Sequence, residues 1–372
     1  MIFPGSTLGV LGGGQLGRMF CVAARTMGYR TVVLDPDPGS PAGRIADDHI
    51  QADYTDPAAL DKLAGCCDVI TTEFENVPAE SLKYLLSKKP VYPAPQAVEI
   101  AQNRIKEKNF ARETGIAPAP FVAIYAETDL VQAADIIGFP AILKSSTLGY
   151  DGKGQFVVDD LDQAIKAFRN MNGVESVLEK KLVLKKEISV LLARNAQGDV
   201  QCYSPAENEH RNGILHQSIV PARVADEIAG EAKQKAIKLA EAMNYVGVLA
   251  VEFFITDDGQ LIFNEMAPRP HNSGHYTKDA CVTSQFEQQV RVICGLPPGD
   301  TRLISPVVMV NMLGDLWDPD WSVLLSETNV KLHLYGKKEA RPGRKMGHFN
   351  VLADNISKAI DVANQLFSKL SK

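Results

Sequence analysis

The sequence predicts an α/β and α+β protein, with an N-terminal parallel α/β domain over residues 1–98, a central mixed region over 99–300 and a small C-terminal domain over 301–372. Three observations predict it. Apolar strand-like runs alternate with helical runs through the first region, as in a parallel α/β unit. A charged helical stretch, Gln96 to Glu113, then ends in Gly115 and the breaker Pro118-Ala119-Pro120. Past Gly295-Leu296-Pro297-Pro298-Gly299 the strand pattern restarts.

Taken in order, Thr7 to Leu11 reads as a short buried strand, followed by a glycine cluster and a helix from Gln15 to Met27 that Gly28 closes with a left-handed cap. Thr31 to Asp35, Asp68 to Thr72 and, more weakly, Pro90 to Tyr92 repeat the strand signal. In the central region the strand runs are Ala141 to Lys144, Gln155 to Val158, Val177 to Glu179, Ile188 to Ala193, Ala250 to Thr256 and Leu261 to Glu265. Pro306 to Leu313 opens the last region and a helix from Asn355 to Leu370 closes it.

Composition narrows the function. The 372 residues are 45% hydrophobic, enough to fill several cores, and their net charge of −6 offers no general attraction to nucleic acid or an anionic membrane. No stretch approaches the roughly 20 apolar residues that cross a bilayer, and no basic segment precedes an apolar run at the N-terminus. The six cysteines contain no Cys-x-x-Cys pair, so reduced thiols in a cytoplasmic setting are expected.

Five constellations carry chemistry. Gly12-Gly13-Gly14-Gln15-Leu16-Gly17 follows a strand and opens a helix, with Asp35 near the distance expected of a dinucleotide site. Glycines and a helix N-terminus welcome any phosphate, so a dinucleotide, another phosphate and a purely structural turn all stay open. The second loop, Ser145 to Gly154, follows Lys144 and offers hydroxyls, glycines and Lys153; it lacks the Walker spacing, and an exposed hairpin loop is its plain alternative.

Asp258-Gly259 signals a two-residue turn between two apolar strands. Such a turn pairs Asp257 with Gln260 and, counting back, sets Glu252 opposite Glu265 on one face, with Asn264 on the other unless the strand bends. Opposed carboxylates among apolar neighbours need a positive partner; a hard divalent cation shared with nucleotide phosphates suits them best, and a structural Lys or Arg is the alternative. After this hairpin, Arg269, His271 and Asn272 form a loop suited to holding an oxyanion, whereas Pro270 and Ser273-Gly274 argue against a helical His271/His275 metal pair. Finally, Lys337, Lys338, Arg341, Arg344 and Lys345 cluster near the C-terminus, as a phosphate cradle or a solvated basic face.

Together these residues resemble the ATP-grasp ligases, and within them the 5-(carboxyamino)imidazole ribonucleotide synthases of purine biosynthesis. The likeness runs through Gly12 to Gly17, Glu73-Phe74-Glu75-Asn76, Tyr150 to Gly154, Glu207 to Asn212, Val251 to Phe254, Asn264 to His275 and Lys345 to His348. It implies a pre-ATP-grasp domain, an ATP-grasp domain with a lid at about 118–183, and a C-terminal substrate-binding domain. It implies ATP held by Arg104, Lys144, Tyr150, Asp151, Gly152, Lys153, Gly154, Gln155, Glu179, Lys180, Glu187, His210, Asn264 and Glu265. Glu252 and Glu265 would hold Mg²⁺, with Mn²⁺ as the alternative. Bicarbonate would become carboxyphosphate near Arg269, His271 and Asn272. Its acceptor, 5-aminoimidazole ribonucleotide, would meet Gln15, Leu16, Glu73, Tyr150, Asp151, Lys153, His271, Asn272, Lys337, Arg344 and Lys345. The resemblance also implies a homodimer, with no nucleic-acid or membrane partner. Competing readings are a formate-dependent glycinamide ribonucleotide transformylase, an NAD-dependent oxidoreductase and a non-catalytic ATP sensor.

Overall fold

The computed structural model describes residues 1–147, 149, 154–317 and 321–371, and contains three sheets. The first is parallel throughout, in the order Asp48–Ile50, Arg30–Leu34, Thr7–Leu11, Val69–Thr72, Val91–Tyr92. The chain winds outward from Thr7–Leu11 and then returns to its other side. The topological switch point, where ligands gather in open α/β sheets, therefore lies between the carboxyl ends of Thr7–Leu11 and Val69–Thr72. The Gly12 to Gly17 and Glu73 to Asn76 segments leave from these two ends.

The first helix, Gln15–Thr26, ends where expected: Gly28 has φ +84° and donates its N–H to the Arg25 carbonyl at 3.0 Å. Its Phe20 and Ala24 pack against Val290 and Ile293 of the helix Gln285–Ile293, fastening the parallel sheet to the rest of the molecule. Within that seam Gln289 donates to Thr71 Oγ1 at 3.0 Å and accepts from the Val248 N–H at 2.6 Å.

One helical expectation fails. Gln96 to Glu113 is two helices, Pro95–Ala101 and Arg104–Glu113, because the Asn103 side chain accepts the N–H groups of Ile105 and Lys106 at 2.9 and 3.0 Å. Asparagine caps a new helix there more readily than it continues an old one.

The second sheet is antiparallel, in the order Phe121–Ile124, Ser176–Lys180, Ala141–Ser145, Gln155–Val158, and is backed by the helices Asp129–Ile137 and Leu161–Asn170. The third is also antiparallel and has nine strands. Leu261–Ala267, Gly247–Thr256, Leu184–Arg194, Ala206–Arg211 and Ile214–Val220 run into Val307–Leu313, Lys345–Leu352 and Val330–Leu334. Val200–Cys202 pairs with Leu184–Arg194. The C-terminal strands thus extend the central sheet instead of making their own. The helix Asp226–Ala242 packs on the central strands and the helix Ile356–Leu370 on the C-terminal ones. Among the described residues no helix is long and apolar enough to cross a membrane.

Candidate active site

One cleft of about 580 Å³ opens where the three sheets meet. Its walls include Gln15, Leu16 and Glu73 from the parallel sheet, Arg104 and Lys144 beside the small sheet, and Glu187, His210, Glu252, Asn264, Glu265, Arg269, His271, Asn272 and Lys345 from the large one. Gln155 also lines it.

Glu252 does pair with Glu265, but by another route than the expected turn. Ile255 pairs with Leu261, one residue off the register of a two-residue turn, and the loop closes through a Thr256 N–H to Gln260 carbonyl bond of 3.1 Å. The register then shifts between Glu252 and Phe253, so Asn264 is the extra residue of a β-bulge. The bulge restores the pairing of the two carboxylates and brings Asn264 to the cleft wall beside Glu265.

Burial first, and then the facing Glu265, push the Glu252 carboxyl well above the usual carboxylate range, to about 8. The same two causes lift Glu107, also to about 8, while its Oε1 accepts the Met266 N–H at 2.6 Å. Glu252 and Glu107 therefore sit in surroundings that disfavour uncompensated negative charge.

Cations ring these carboxylates. The Arg104 guanidinium lies 3.2 Å from Glu265. Lys144 and Lys108 share Glu179, at 2.8 and 3.0 Å, in an almost fully buried triad. Burial alone would raise Glu179, but Lys108 and Lys144 outweigh it and hold it at about 2. Glu179 thus lies behind the cleft wall and fixes Lys144 toward it. His210 and Glu187 stand 3.0 Å apart, and although burial opposes the charged ring, Glu187 outweighs it and raises the His210 pKa.

In the loop after the hairpin, Arg269 is bound to Glu75 from the parallel sheet. Arg269 outweighs the effect of burial and holds Glu75 at about 2. Burial first and Arg269 second push His271 down to about 3, so its ring is neutral; Nδ1 lies 2.9 Å from Ser273 Oγ and Nε2 3.5 Å from Glu252. Asn272 begins a single 3₁₀ turn, Asn272–Gly274, and both polar atoms of its side chain are buried without a protein partner among the described residues. His275 faces away, packed against Phe286, Tyr335 and His348, so the structure does not bring it to His271 as a metal pair.

The first glycine loop overturns the dinucleotide reading. Three of its N–H groups are taken by the protein's own carboxylates. Asp35 accepts from Gly13 at 2.6 Å, and Glu73 from Gly14 at 2.8 Å and Gly17 at 2.9 Å. Asp35 is further engaged by the Asp37 N–H at 2.8 Å and the Tyr54 hydroxyl at 2.7 Å, which leaves it unsuited to a ribose. A side chain at Gly17 would meet the Gly12 carbonyl at 2.8 Å, so this glycine serves close backbone approach. Asp35→Ala is expected to lower the unfolding free energy by about 1.5–3 kcal/mol, the worth of hydrogen bonds to a charged group. A urea midpoint that does not move would contradict this.

Several expected residues lie elsewhere. Lys180 is off the cleft, its N–H bonded to the Pro120 carbonyl at 2.9 Å. Gly154, with φ +69°, closes the base of its loop by accepting the Ser145 N–H at 2.8 Å. Tyr150, Asp151, Gly152 and Lys153 fall outside the described residues. Of the basic run only Lys345 lines the cleft; the Lys337 ammonium lies over the Tyr335 ring at 5.8 Å, and Arg344 donates to the Glu339 carbonyl at 2.9 Å.

Glu75, Glu107 and Lys108 escaped the sequence analysis as site residues. The spacing Arg104, Glu107, Lys108, Ala111 was the available signal, one stripe of a helix, although its charges suggested a solvated face.

Comparison with known proteins agrees with this geometry. Residues 5–102 match the ribonucleotide synthetase preATP-grasp domain, 109–286 the ATP-grasp domain and 307–361 the phosphoribosylaminoimidazole carboxylase C-terminal domain. The chain is 48% identical over 347 residues to the N5-carboxyaminoimidazole ribonucleotide synthase of Brucella melitensis, covering 93% of this chain and 96% of that one. It is 45% identical to the Bacillus subtilis synthase, over 95% of this chain and 93% of that one. A crystal structure of an N5-carboxyaminoimidazole ribonucleotide synthetase in complex with ADP superposes with a TM-score of 0.94 at 45% identity, covering 99% and 97% of the two chains. The Aspergillus clavatus synthase in complex with ADP and 5-aminoimidazole ribonucleotide superposes with a TM-score of 0.90 at 32% identity, covering 98% of each. The chain belongs to the N5-carboxyaminoimidazole ribonucleotide synthase family, the ATP-dependent ATP-grasp ligases of purine biosynthesis.

Proposed function

We propose that this cleft activates bicarbonate with ATP and transfers the resulting carboxyl group to the exocyclic amine of 5-aminoimidazole ribonucleotide. The observation that carries the reading is the bulged hairpin, which aims Glu252, Glu265 and Asn264 at a cleft that Arg104, Lys144, Arg269 and Lys345 also line. Oxygen donors on one side and cations on the other suit a polyphosphate bound with a hard metal ion.

Glu252 and Glu265 would hold Mg²⁺, with Mn²⁺ as the alternative, and Asn264 would stand beside them. Their surroundings fit, since a divalent cation relieves the cost of the buried Glu252 carboxylate facing Glu265. When bound, the ion supplies positive charge against the phosphates. Arg104 and Lys144 would neutralise phosphate oxygens, with Lys144 held in place by Glu179. Glu187 and His210 would close the nucleotide end, as would the Tyr150 to Gly154 loop with Gln155.

A bicarbonate oxygen attacks the γ-phosphorus and ADP leaves. The amine nitrogen then attacks the carboxyl carbon, inorganic phosphate departs with the bridging oxygen, and the nitrogen gives up one proton. Arg269, oriented by Glu75, faces the negative charge that develops, and the unpaired amide of Asn272 offers a donor and an acceptor beside it. His271, neutral and steered by Ser273, adds a hydrogen-bonding wall without adding charge. The chain positions reactants and offsets charge, which is most of what phosphoryl transfer requires.

Ribonucleotide contacts would come from Gln15, Leu16, Glu73 and Lys345. Lys345→Ala is expected to raise the KM for 5-aminoimidazole ribonucleotide roughly 10–100-fold, with little change for ATP, as loss of a charge-assisted contact does. Arg344→Ala should leave both constants near wild type, because its guanidinium turns to Glu339. Equal losses in the two variants would refute this placement of the acceptor.

A further inference from the structure

The hairpin Ala206–Arg211 and Ile214–Val220 serves two cavities at once. His210, Gly213 and Leu215 line the cleft described above. Arg211, Ile214 and His216 line a second cavity of about 600 Å³ on the opposite face, closed by Asn311 and by Phe367 and Leu370 of the last helix. Paired residues of a strand ladder alternate between faces, so a single hairpin can wall both.

The second cavity has the make-up of a small-molecule site: mostly apolar walls, a few polar groups, and a volume in the range of such sites, roughly 300–1,000 Å³. Its polar groups are built in. His216 is 6% exposed and Asn311 1% exposed, yet His216 Nε2 and Asn311 Oδ1 are buried with no protein partner among the described residues. The Asn311 amide nitrogen is already bonded to the Leu215 carbonyl at 2.8 Å, so the side chain is fixed and its oxygen remains an acceptor. Burial first and Arg211 second hold His216 at about 4, so its ring is neutral. Phe367 stands edge-on to that ring at 4.5 Å, and the Arg211 guanidinium lies 4.8 Å from the Phe367 centroid. Asp315, which also lines the cavity, accepts the Gly343 N–H at 3.2 Å.

We propose that this cavity is a second ligand site, backing the first across the shared hairpin, and that it takes a planar aromatic anion. The ring lies against Phe367, Ile214 and Leu370. Arg211 meets the negative group, and Asn311 Oδ1 and His216 Nε2 offer hydrogen bonds to the ring edge. Filling the site needs no residue of the first cleft.

The test is calorimetric titration of the full-length protein with naphthalene-2-carboxylate, with the neutral naphthalene-2-carboxamide as the charge control. Each is titrated with and without saturating MgADP. The expected result is one carboxylate bound per chain with or without MgADP, and roughly tenfold weaker binding of the carboxamide, the scale of one charge-assisted contact. Arg211→Gln, a surface change, should erase the difference between the two probes, and Phe367→Leu should weaken both. ATP turnover of Arg211→Gln should match wild type. The proposal is overturned if neither probe binds, if MgADP competes with the carboxylate, or if Arg211→Gln still favours the anion. A change in sedimentation on replacing Arg211, with no probe binding, would overturn it in favour of a face between two copies of the chain.

Discussion

Glu252→Gln is expected to lower kcat by at least about 10²–10³-fold, the usual effect of removing one electrostatic contact to the reacting phosphates. The same variant should gain stability when free of metal at alkaline pH. The folded-state pKa of Glu252 is raised above its ordinary 4.5 to about 8, so its contribution to stability is fully present below pH 4.5 and is lost as pH rises through 8. Glutamine keeps the shape and removes the titration. Thermal unfolding in a chelator at pH 5.5 and 8.5 should therefore show wild type losing more Tm between the two pH values than the variant does. Glu265→Gln should match the loss of turnover. Near-normal turnover in either variant at saturating Mg²⁺ would rule out the carboxylate pair as the metal site.

Arg269→Ala is expected to be nearly as damaging to turnover and, unlike Glu252→Gln, to destabilise the protein. It strands Glu75, whose carboxylate depends on Arg269. Breaking a buried ion pair costs about 3–5 kcal/mol, and the lower end applies because the Glu75 side chain keeps 27% of its exposure. The double variant Arg269→Met with Glu75→Gln should recover much of that stability, since no buried charge is left unpaired, while turnover stays lost. Recovery of turnover in the double variant would show that Arg269 matters only as a structural partner. Chemical denaturation and steady-state kinetics on the three proteins decide between these outcomes.

Much of this was legible in the residues. Strand, glycine loop and helix at Thr7 to Thr26 follow from apolar runs, glycine and a left-handed cap, all local signals. What fills the glycine loop was not local. Asp35 and Glu73 are 22 and 59 residues away from the N–H groups they accept, and only the parallel pairing of the strands brings them in. Local periodicity therefore cannot separate a phosphate loop from one capped by its own carboxylates.

The Glu252–Glu265 pairing shows a different limit. A turn one residue longer than expected and a bulge at Asn264 cancel, so the right partners followed from a register that does not exist. Packing sets the bulge, since Phe253 and Phe263, both fully buried, must pair ahead of it. Elsewhere an available signal went unread. Asn212-Gly213, with φ of 50° and 76°, is the turn pair of the hairpin between the two cavities. The buried charges of Arg104–Glu113 were hidden for a physical reason: a stripe of Arg, Glu and Lys looks solvated until the partners that neutralise it, Glu179 and Glu265, are known. The family resemblance supplied what patterning could not, and relatives at 45–48% identity over at least 93% of this chain favour the carboxylating synthase over the transformylase.

In the proposed mechanism bicarbonate is phosphorylated in this cleft before the exocyclic amine captures it. Incubation with ¹⁸O-labelled bicarbonate, MgATP and 5-aminoimidazole ribonucleotide, followed by rapid quench and mass spectrometry, tests it most directly. The predicted result is one ¹⁸O atom in each phosphate released and label in the carboxyl group of the ribonucleotide product, because the bridging oxygen of carboxyphosphate comes from bicarbonate. Phosphate carrying no label, with carboxylated product still formed, would contradict the account.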